Sequence, residues 1–494
     1  MASQFEFGQR VDLCARLRDC LVNYPEDGLL KEMVQNADDA GASMFQVMLD
    51  KRHHPRGKLL LNGLAQFQGP ALCTSNDASF TEKDLQSIQS VGNSLKNDAD
   101  GHAKTGKFGL GFNSAYHVTD CPGLLTAGQI MFLDPTQARL GNNATGVGYH
   151  VDQPAVDRNP DQFLPSGAIR SSNSGLAACC TLHALCSPVQ RSSPCLDRWR
   201  IFGCEPGRST FDGTIFRLPL RSREHVRLSR GKGISQRPFT LSDAEELLRK
   251  FVESLPELLL FLQSVQTVKV YEWRSNETAP RLLWEQVALS SGEVSKRAHL
   301  RDLLATNPPL QRVGKHLYSD YLSVQLLSGP SGAEGGEDAT WLVVQAFGDG
   351  RALAMSVDED VLSRGLRPLP WGGVAARLQR QLRDGSKRQR VELAVQGRPF
   401  CTLPLPKPTG LPVHVNGFFE LTTSRRDVWY DTSGVGSGRV RADWNVALLR
   451  SVVAPCYVTL LQSAQELAGS ADAYYALWPW TCPQEPWSQL VDEL

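Results

Sequence analysis

Residues 27–50, DGLLKEMVQNADDAGASMFQVMLD, constrain the fold more than any other stretch of this sequence. Turned at about 100° per residue, positions 27–40 place Leu29, Leu30, Met33, Val34, Ala37 and Ala40 on one contiguous apolar arc that can face a core. Gly41 follows, where a left-handed helix end is favoured, and FQVMLD then reads as a strand. Glu32, Asn36 and Asp39 share a neighbouring arc of roughly 60°. A carboxylate and a carboxamide one turn apart can act jointly. Asn36 has an oxygen to present to Mg²⁺, a hard cation that shares oxygen ligands with phosphates. Glu32 is placed to orient and deprotonate a water beside it. On periodicity alone, a solvated acidic helix face accounts for the same residues.

Three further pieces follow in order. Ser75-Asn76-Asp77-Ala78-Ser79-Phe80-Thr81 comes after the strand-like ALCTS, and an acid at a strand end can accept a hydrogen bond from an exocyclic amine. An Asx turn capping the helix TEKDLQSIQSV explains it equally well. Thr105-Gly106-Lys107-Phe108-Gly109-Leu110-Gly111-Phe112 precedes a helical AYHV; its glycines let backbone amides approach an anion. The spacing is G-x-x-G-x-G, which is neither the dinucleotide fingerprint nor a Walker A loop. Gly213-Thr214 lies in the strand FDGTIFRLPL, where a hydroxyl can reach the same base edge.

Length calls for more than one core, since 494 residues exceed what a single domain holds. Lys+Arg and Asp+Glu balance at 52 each, so no global field points to nucleic acid or an anionic membrane. The opening MASQFEFGQRVD lacks an apolar segment, and the apolar run around 258–262 is too short to span a bilayer. Twelve cysteines without a regular framework read as reduced thiols, so a cytoplasmic setting is expected. Cys179, Cys180, Cys186, Cys195 and Cys204 with His183 lack paired zinc-ligand spacings and read as incidental.

Along the chain, 62–70, 92–106 and 140–167 read as Gly/Asn/Pro-rich connectors. The basic run 221–237 reads as a solvated loop and marks a boundary. LSDAEELLRKFVESLPELLLFLQS then opens a second region as an amphipathic helix, with TVKVYEW as its first strand. YLSVQLL, TWLVVQAF and RVELAVQ are further strands, the first two separated by the hairpin-like 328–339. The end, from about 440, reads as helical.

Taken in order, the four pieces resemble the signature of the GHKL ATPases, the group of the ninety-kilodalton heat-shock chaperones, gyrase B, MutL and histidine kinases. FGQRVDLCARLRDCLVNYP, LLKEMVQNADDAGAS, FQGPALCTSNDASFTEKDLQSIQSVGNS, TGKFGLGFNSAYHVTD, FLDP and GTIFRLPLR look closer still to the sacsin-like branch. LPLPKPTGLPVHVNGFFELTTSRRDVWYD, 403–431, resembles the second half of that repeat. The resemblance implies an α/β two-layer sandwich (the Bergerat ATP-binding fold) over 1–235, with an inserted loop region near 136–210. A second, middle-like α/β domain over 236–435 and a helical segment over 436–494 follow.

By the same resemblance Glu32 is the general base and Asn36 the Mg²⁺ ligand, with Asp39 beside it in the nucleotide site. Asp77 is the adenine-binding acid and Thr214 its partner. Gly106, Lys107, Gly109, Gly111 and Phe112 form lid hinge and phosphate cradle, and Ser94 and Lys96 lie in a lid, 91–105, that closes over ATP. Ala78 and Ser79 stand where the wider superfamily has glycines, so Asn76 remains an alternative to Asp77. Arg425 and Arg426 are the candidates for a basic residue reaching the γ-phosphate, since Arg matches phosphate geometry; an interface salt bridge is the plainer role. The implied function is ATP binding with slow hydrolysis, in protein folding or quality control, with client proteins or other chaperones as partners. A non-hydrolysing nucleotide-gated scaffold and a MutL-like nucleic-acid-directed ATPase, the latter kept by the basic runs at 221–237 and 377–390, are the alternatives.

Overall fold

The computed structural model describes residues 12–23, 25–89, 111–141, 143–151, 154, 158–163, 213–229, 233–277, 280–287, 295–299, 301, 322–328, 340–348, 350–366, 368–378, 396–422, 426–431, 436–467 and 470–494. These form two compact units. The first draws on the described residues up to Val252 and on Lys269–Trp284, the second on Glu253–Val268 and on the described residues from Glu285 onward.

The first unit is organised on an eight-stranded sheet. Its strands are β1 (Met44–Asp50), β2 (Ala71–Asn76), β3 (Gly123–Thr126), β4 (Gln129–Leu133), β5 (Gly146–His150), β6 (Thr214–Pro219), β7 (Thr267–Trp273) and β8 (Arg281–Val287), in the order β5-β4-β3-β6-β2-β1-β7-β8. The pairs β1/β2, β2/β6, β6/β3, β3/β4 and β4/β5 are antiparallel. Because side chains alternate along a strand, the registers sort the sheet into two faces. Val47, Thr74, Phe216 and Leu124 form one row on the first face. Met48, Cys73, Ile215, Leu125, Ile130 and Phe132 pack on the other, with Leu64 and Phe67 from the turn Asn62–Phe67.

The helices α1 (Leu13–Asn23) and α2 (Leu29–Asp39) belong to this unit. Leu29, Leu30, Met33, Val34 and Ala37 of α2 are buried, each of the first four side chains contributing about 2 kcal/mol of apolar burial. Ala40, expected on that arc, is exposed, because the helix has already ended. Gly41 takes φ +79°; its N–H donates to the Asp38 carbonyl at 2.9 Å and that of Ala42 to Ala37 at 3.0 Å. Those two bonds satisfy carbonyls that the helix itself leaves open, and they turn the chain into β1. Thr74 Oγ1 donates to Met33 Sδ at 3.3 Å, which fixes α2 over β2.

Several expectations are corrected. TVKVYEW is not the start of a separate domain: it is β7, next to β1 in the first sheet, followed by β8. β1 is buried at six of its seven positions and so needs a neighbour on each edge, a demand that sequence order does not reveal. The boundary expected near 235 therefore falls inside the first unit, and the helix Leu241–Leu258 begins there. Within 140–167, read as a connector, Gly146–His150 forms β5, an edge strand that pairs with β4 from Gln129↔His150 to Leu133↔Gly146. The basic run is not a simple solvated loop. It contains the helix Arg223–Ser229, and Arg221 and His225 are buried.

The second unit holds a six-stranded sheet. β9 (Leu322–Ser328), β10 (Thr340–Phe347), β11 (Trp371–Leu378), β12 (Pro399–Cys401), β13 (Leu403–Pro404) and β14 (His414–Gly417) lie in the order β13-β12-β14-β11-β10-β9. The expected β9/β10 pairing is present and antiparallel; RVELAVQ lies outside the described residues except at its last position. Ser437–Leu467 is helical, with a π turn at Leu449–Val453 just before Pro455, whose missing N–H and ring disfavour a regular turn. By length and composition this 31-residue stretch passes as a membrane span, contrary to the sequence reading. Its Trp444, Leu448, Val453, Tyr457 and Leu460 instead fill the core under Val344, Val374 and Val415.

Candidate nucleotide site

The α2 arc comes out as expected: Glu32, Asn36 and Asp39 are all half-buried along one side of the helix. Beside them starts the short 3₁₀ helix Gly111–His117. Gly111 stands so close to Glu32 that a Cβ at this position would strike its Oε2 and lie 3.4 Å from its Cδ. A larger residue here would push the Glu32 carboxylate, the free end of its side chain, out of this position. Ser114 Oγ donates to the Gly111 carbonyl at 2.6 Å and holds the first turn. Phe112 packs on Phe216 of β6 (5.4 Å between rings) and edge-on against Tyr116. The Glu32 helix, the residues after the expected lid and the sheet thus meet on one face.

The end of that face carries polar groups. Asn76 of β2 is opposite Thr214 of β6, which is opposite Thr126 of β3. Thr214, fully buried, donates to the Ala78 carbonyl at 2.7 Å. Its oxygen therefore accepts from the Thr126 hydroxyl at 2.9 Å, and Thr126 in turn accepts from the Phe80 N–H at 3.0 Å. Ser79 Oγ accepts from the Gly213 N–H at 2.9 Å. These bonds give residues 76–80 a fixed turn. Thr126 was missed because an isolated hydroxyl carries no periodic signal, whereas Ser79 and Phe80 were read only as parts of the 75–81 segment.

Asn76 and Asp77 diverge. Asn76 is buried in the row with Phe45 and Thr214, and its Oδ1 accepts from the Ala78 N–H at 3.0 Å. Asp77 is exposed and engaged elsewhere. Its carboxylate accepts from the Ser43 N–H at 2.8 Å, the Met44 N–H at 3.1 Å and the Ser43 hydroxyl, tying the β2 end to the start of β1.

Behind the 3₁₀ helix lies a buried charge network. Arg221 donates to Asp120 Oδ1 at 2.6 Å and to the carbonyls of Tyr116, His117 and Thr119 at 2.5, 2.8 and 3.1 Å. Arg139 joins Asp120 to Asp134 at 3.4 and 3.3 Å. Five of the residues expected at the site, Ser94, Lys96, Gly106, Lys107 and Gly109, lie outside the described residues, as do Arg425 and the cysteine cluster with His183. Arg426 is exposed in the second unit, in the turn closed by the bridge Leu421↔Val428.

The Sacsin domain model matches residues 10–182 and 181–285. The chain belongs to the sacsin domain family. It is also similar to human sacsin, 31% identical over 468 residues, a match covering 92% of the chain and 9% of the relative. This sacsin-domain chain thus spans about a tenth of the length of that curated relative. The second matched segment ends within β8, so the family model and the first compact unit cover nearly the same residues.

Proposed function

We propose that the first unit is a GHKL-type (Bergerat) ATP-binding domain that takes Mg-ATP on the α2 face of its sheet and hydrolyses it slowly. What carries the reading is the fit of Gly111 against Glu32, which brings the two most diagnostic motif pieces together from positions far apart in sequence. Glu32 would act as the general base, and the glycines from Gly106 to Gly111 would cradle phosphate with Phe112 at the hinge. Asn36 offers one carboxamide oxygen, and no cluster of three His, Cys, Asp or Glu side chains forms a metal site among the described residues. That donor set suits a hard cation that shares its oxygens with phosphates rather than one held in a protein cage. Mg²⁺, when bound, would neutralise phosphate charge.

For the base edge we favour Asn76 over Asp77. Its carboxamide shares the row with Thr214, and amide groups both donate and accept toward adenine, whereas Asp77 is spent on Ser43 and Met44. The buried free thiols Cys14, Cys20, Cys73, Cys121 and Cys456 suit a reducing, cytoplasmic compartment. Client proteins or other chaperones are the partners proposed, on the family membership. Burial of Arg221 removes one cation of the basic run from any nucleic-acid surface, which weighs against the DNA-directed alternative.

Isothermal titration with ATP and ADP, with and without Mg²⁺, tests the site. Asn36→Ala should abolish the Mg²⁺-dependent part of binding, and unchanged affinity would refute the assignment. Asn76→Ala should weaken ATP binding at least tenfold, about 1.4 kcal/mol, and Asp77→Ala should weaken it less. Phosphate release should fall to background in Glu32→Ala with ATP affinity retained. Equal background rates in wild type and variant would leave a nucleotide-gated scaffold in place of an ATPase.

A further inference from the structure

On the sheet face away from α2, a cavity of about 20 Å³ is lined by Gln68, Gln162 and Arg217, among apolar neighbours that include Phe67, Leu125 and Phe132. Three buried polar atoms in this lining have no hydrogen-bond partner: Gln68 Oε1, Gln162 Oε1 and Arg217 Nε. Both glutamines are deeply buried, 1% and 6% exposed. The rest of the Arg217 guanidinium is committed, donating to the Phe67 carbonyl at 2.6 Å and the Gly69 carbonyl at 2.8 Å. One donor and two acceptors therefore belong to residues that line one space of molecular size.

We infer that this cavity is a binding site for a single ordered water, which accepts from Arg217 Nε–H and donates one hydrogen to each glutamine oxygen. The count closes: one acceptor and two donors are what the three orphaned atoms lack. The volume is also right, since a cavity needs roughly 10–15 Å³ to hold a water, with two to four polar partners. An anion fits less well, because two carboxamide oxygens facing the space would repel it. A purely apolar occupant would leave all three atoms unsatisfied. The water joins three segments that have no backbone pairing with one another here: the turn that ends near Gln68, the short helix Pro160–Phe163 and β6. It acts as a clamp on the far face of the sheet that carries the proposed nucleotide site, and it does not depend on that proposal.

A crystal structure of the full chain, at a resolution that shows ordered solvent, should place one water within hydrogen-bond distance of all three atoms. An empty cavity would overturn the inference, and so would an anomalous peak there after a bromide soak. Gln68→Met and Gln162→Met, which keep side-chain length and remove the acceptor, supply a second reading. Each should lower the urea midpoint. The double variant should lower it by clearly less than the two together, because both lose the same water. Strict additivity would mean that the glutamines act separately and would also overturn it.

Discussion

The two sheets differ in which polar groups they bury. The first unit buries charge and pairs it: Arg221 with Asp120, Arg139 with Asp120 and Asp134, and Glu272 with Lys51, Arg274 and Arg281. Asp50, fully buried, accepts from Arg52 at 2.7 Å and sits 2.8 Å from His54 Nε2. The second sheet buries neutral rings and amides, and His414 Nε2, Trp341 Nε1 and Asn416 Nδ2 lack partners there, as atoms of Gln68, Gln162 and Arg217 do in the first unit. His414 Nδ1 accepts from the Arg398 N–H at 3.1 Å, so the neutral ring carries its proton on Nε2. Glu257 Oε1 is 3.7 Å from that atom, beyond hydrogen-bond reach, and does not offset the burial. Paired charges fail when one partner is removed, whereas a buried neutral histidine fails when the solvent offers it a proton.

The sharpest way to break this comparison is to orphan a charge. Arg221→Ala leaves Asp120 buried with only the distant Arg139 contact, and it should cost about 3–5 kcal/mol in urea unfolding. A loss below about 1 kcal/mol would mean that the network relaxes into water and that the contrast between the sheets is false.

The second test uses acid. Burial drives the His414 pKa down to about 3 from 6.5, with the Arg398 charge adding to the effect. A depressed histidine stays neutral in the folded state while the unfolded chain takes up a proton, so stability falls as pH drops below about 6.5. At pH 5 the loss should be about 2 kcal/mol, and His414→Gln should remove it. Fluorescence of Trp341, stacked on His414 at 5.2 Å, reports the second unit. Asp50 behaves in the opposite way. Burial raises its pKa, but hydrogen bonds from His54 and Arg52 outweigh that and hold it at about 2. Its contribution is present above the ordinary carboxylate pKa and is lost only as pH falls from about 4 to about 2. Burial also holds His54 and His225 of the first unit below the usual histidine range, so both units lose stability in acid, and His414→Gln isolates the part that belongs to the second unit.

The smallest effect calibrates the others. Exposed Thr81 caps the helix Glu82–Ile88 in a reciprocal box with half-buried Asp84. Thr81→Ala should cost about 1 kcal/mol, with no dependence on pH between 5 and 8.

How much was legible follows from the range of the interaction involved. The α2 periodicity, the Gly41 terminus and the strands β2, β6 and β10 are written in residues a few positions apart, and they appear as read. β5 was not legible, because GVGYH has little strand signal and is held by its pairing with β4. At the site, the arc of Glu32, Asn36 and Asp39 was readable from one helical turn. That Ser43 captures Asp77 while Asn76 lies in the row with Thr214 was not, because it depends on how β2 pairs with its neighbours.

By itself, then, the sequence determined the α/β class, the helix with its apolar and polar arcs, and the ordered motif pieces that mark the family. Tertiary structure alone decided that β7 and β8 complete the first sheet, that Arg221 is buried behind the 3₁₀ helix, and that Gly111 meets Glu32. The physical reason is that periodicity and turn chemistry act between near neighbours in the chain. Strand partners, charge pairs and close approaches join residues tens to hundreds of positions apart, and only the folded packing selects among them.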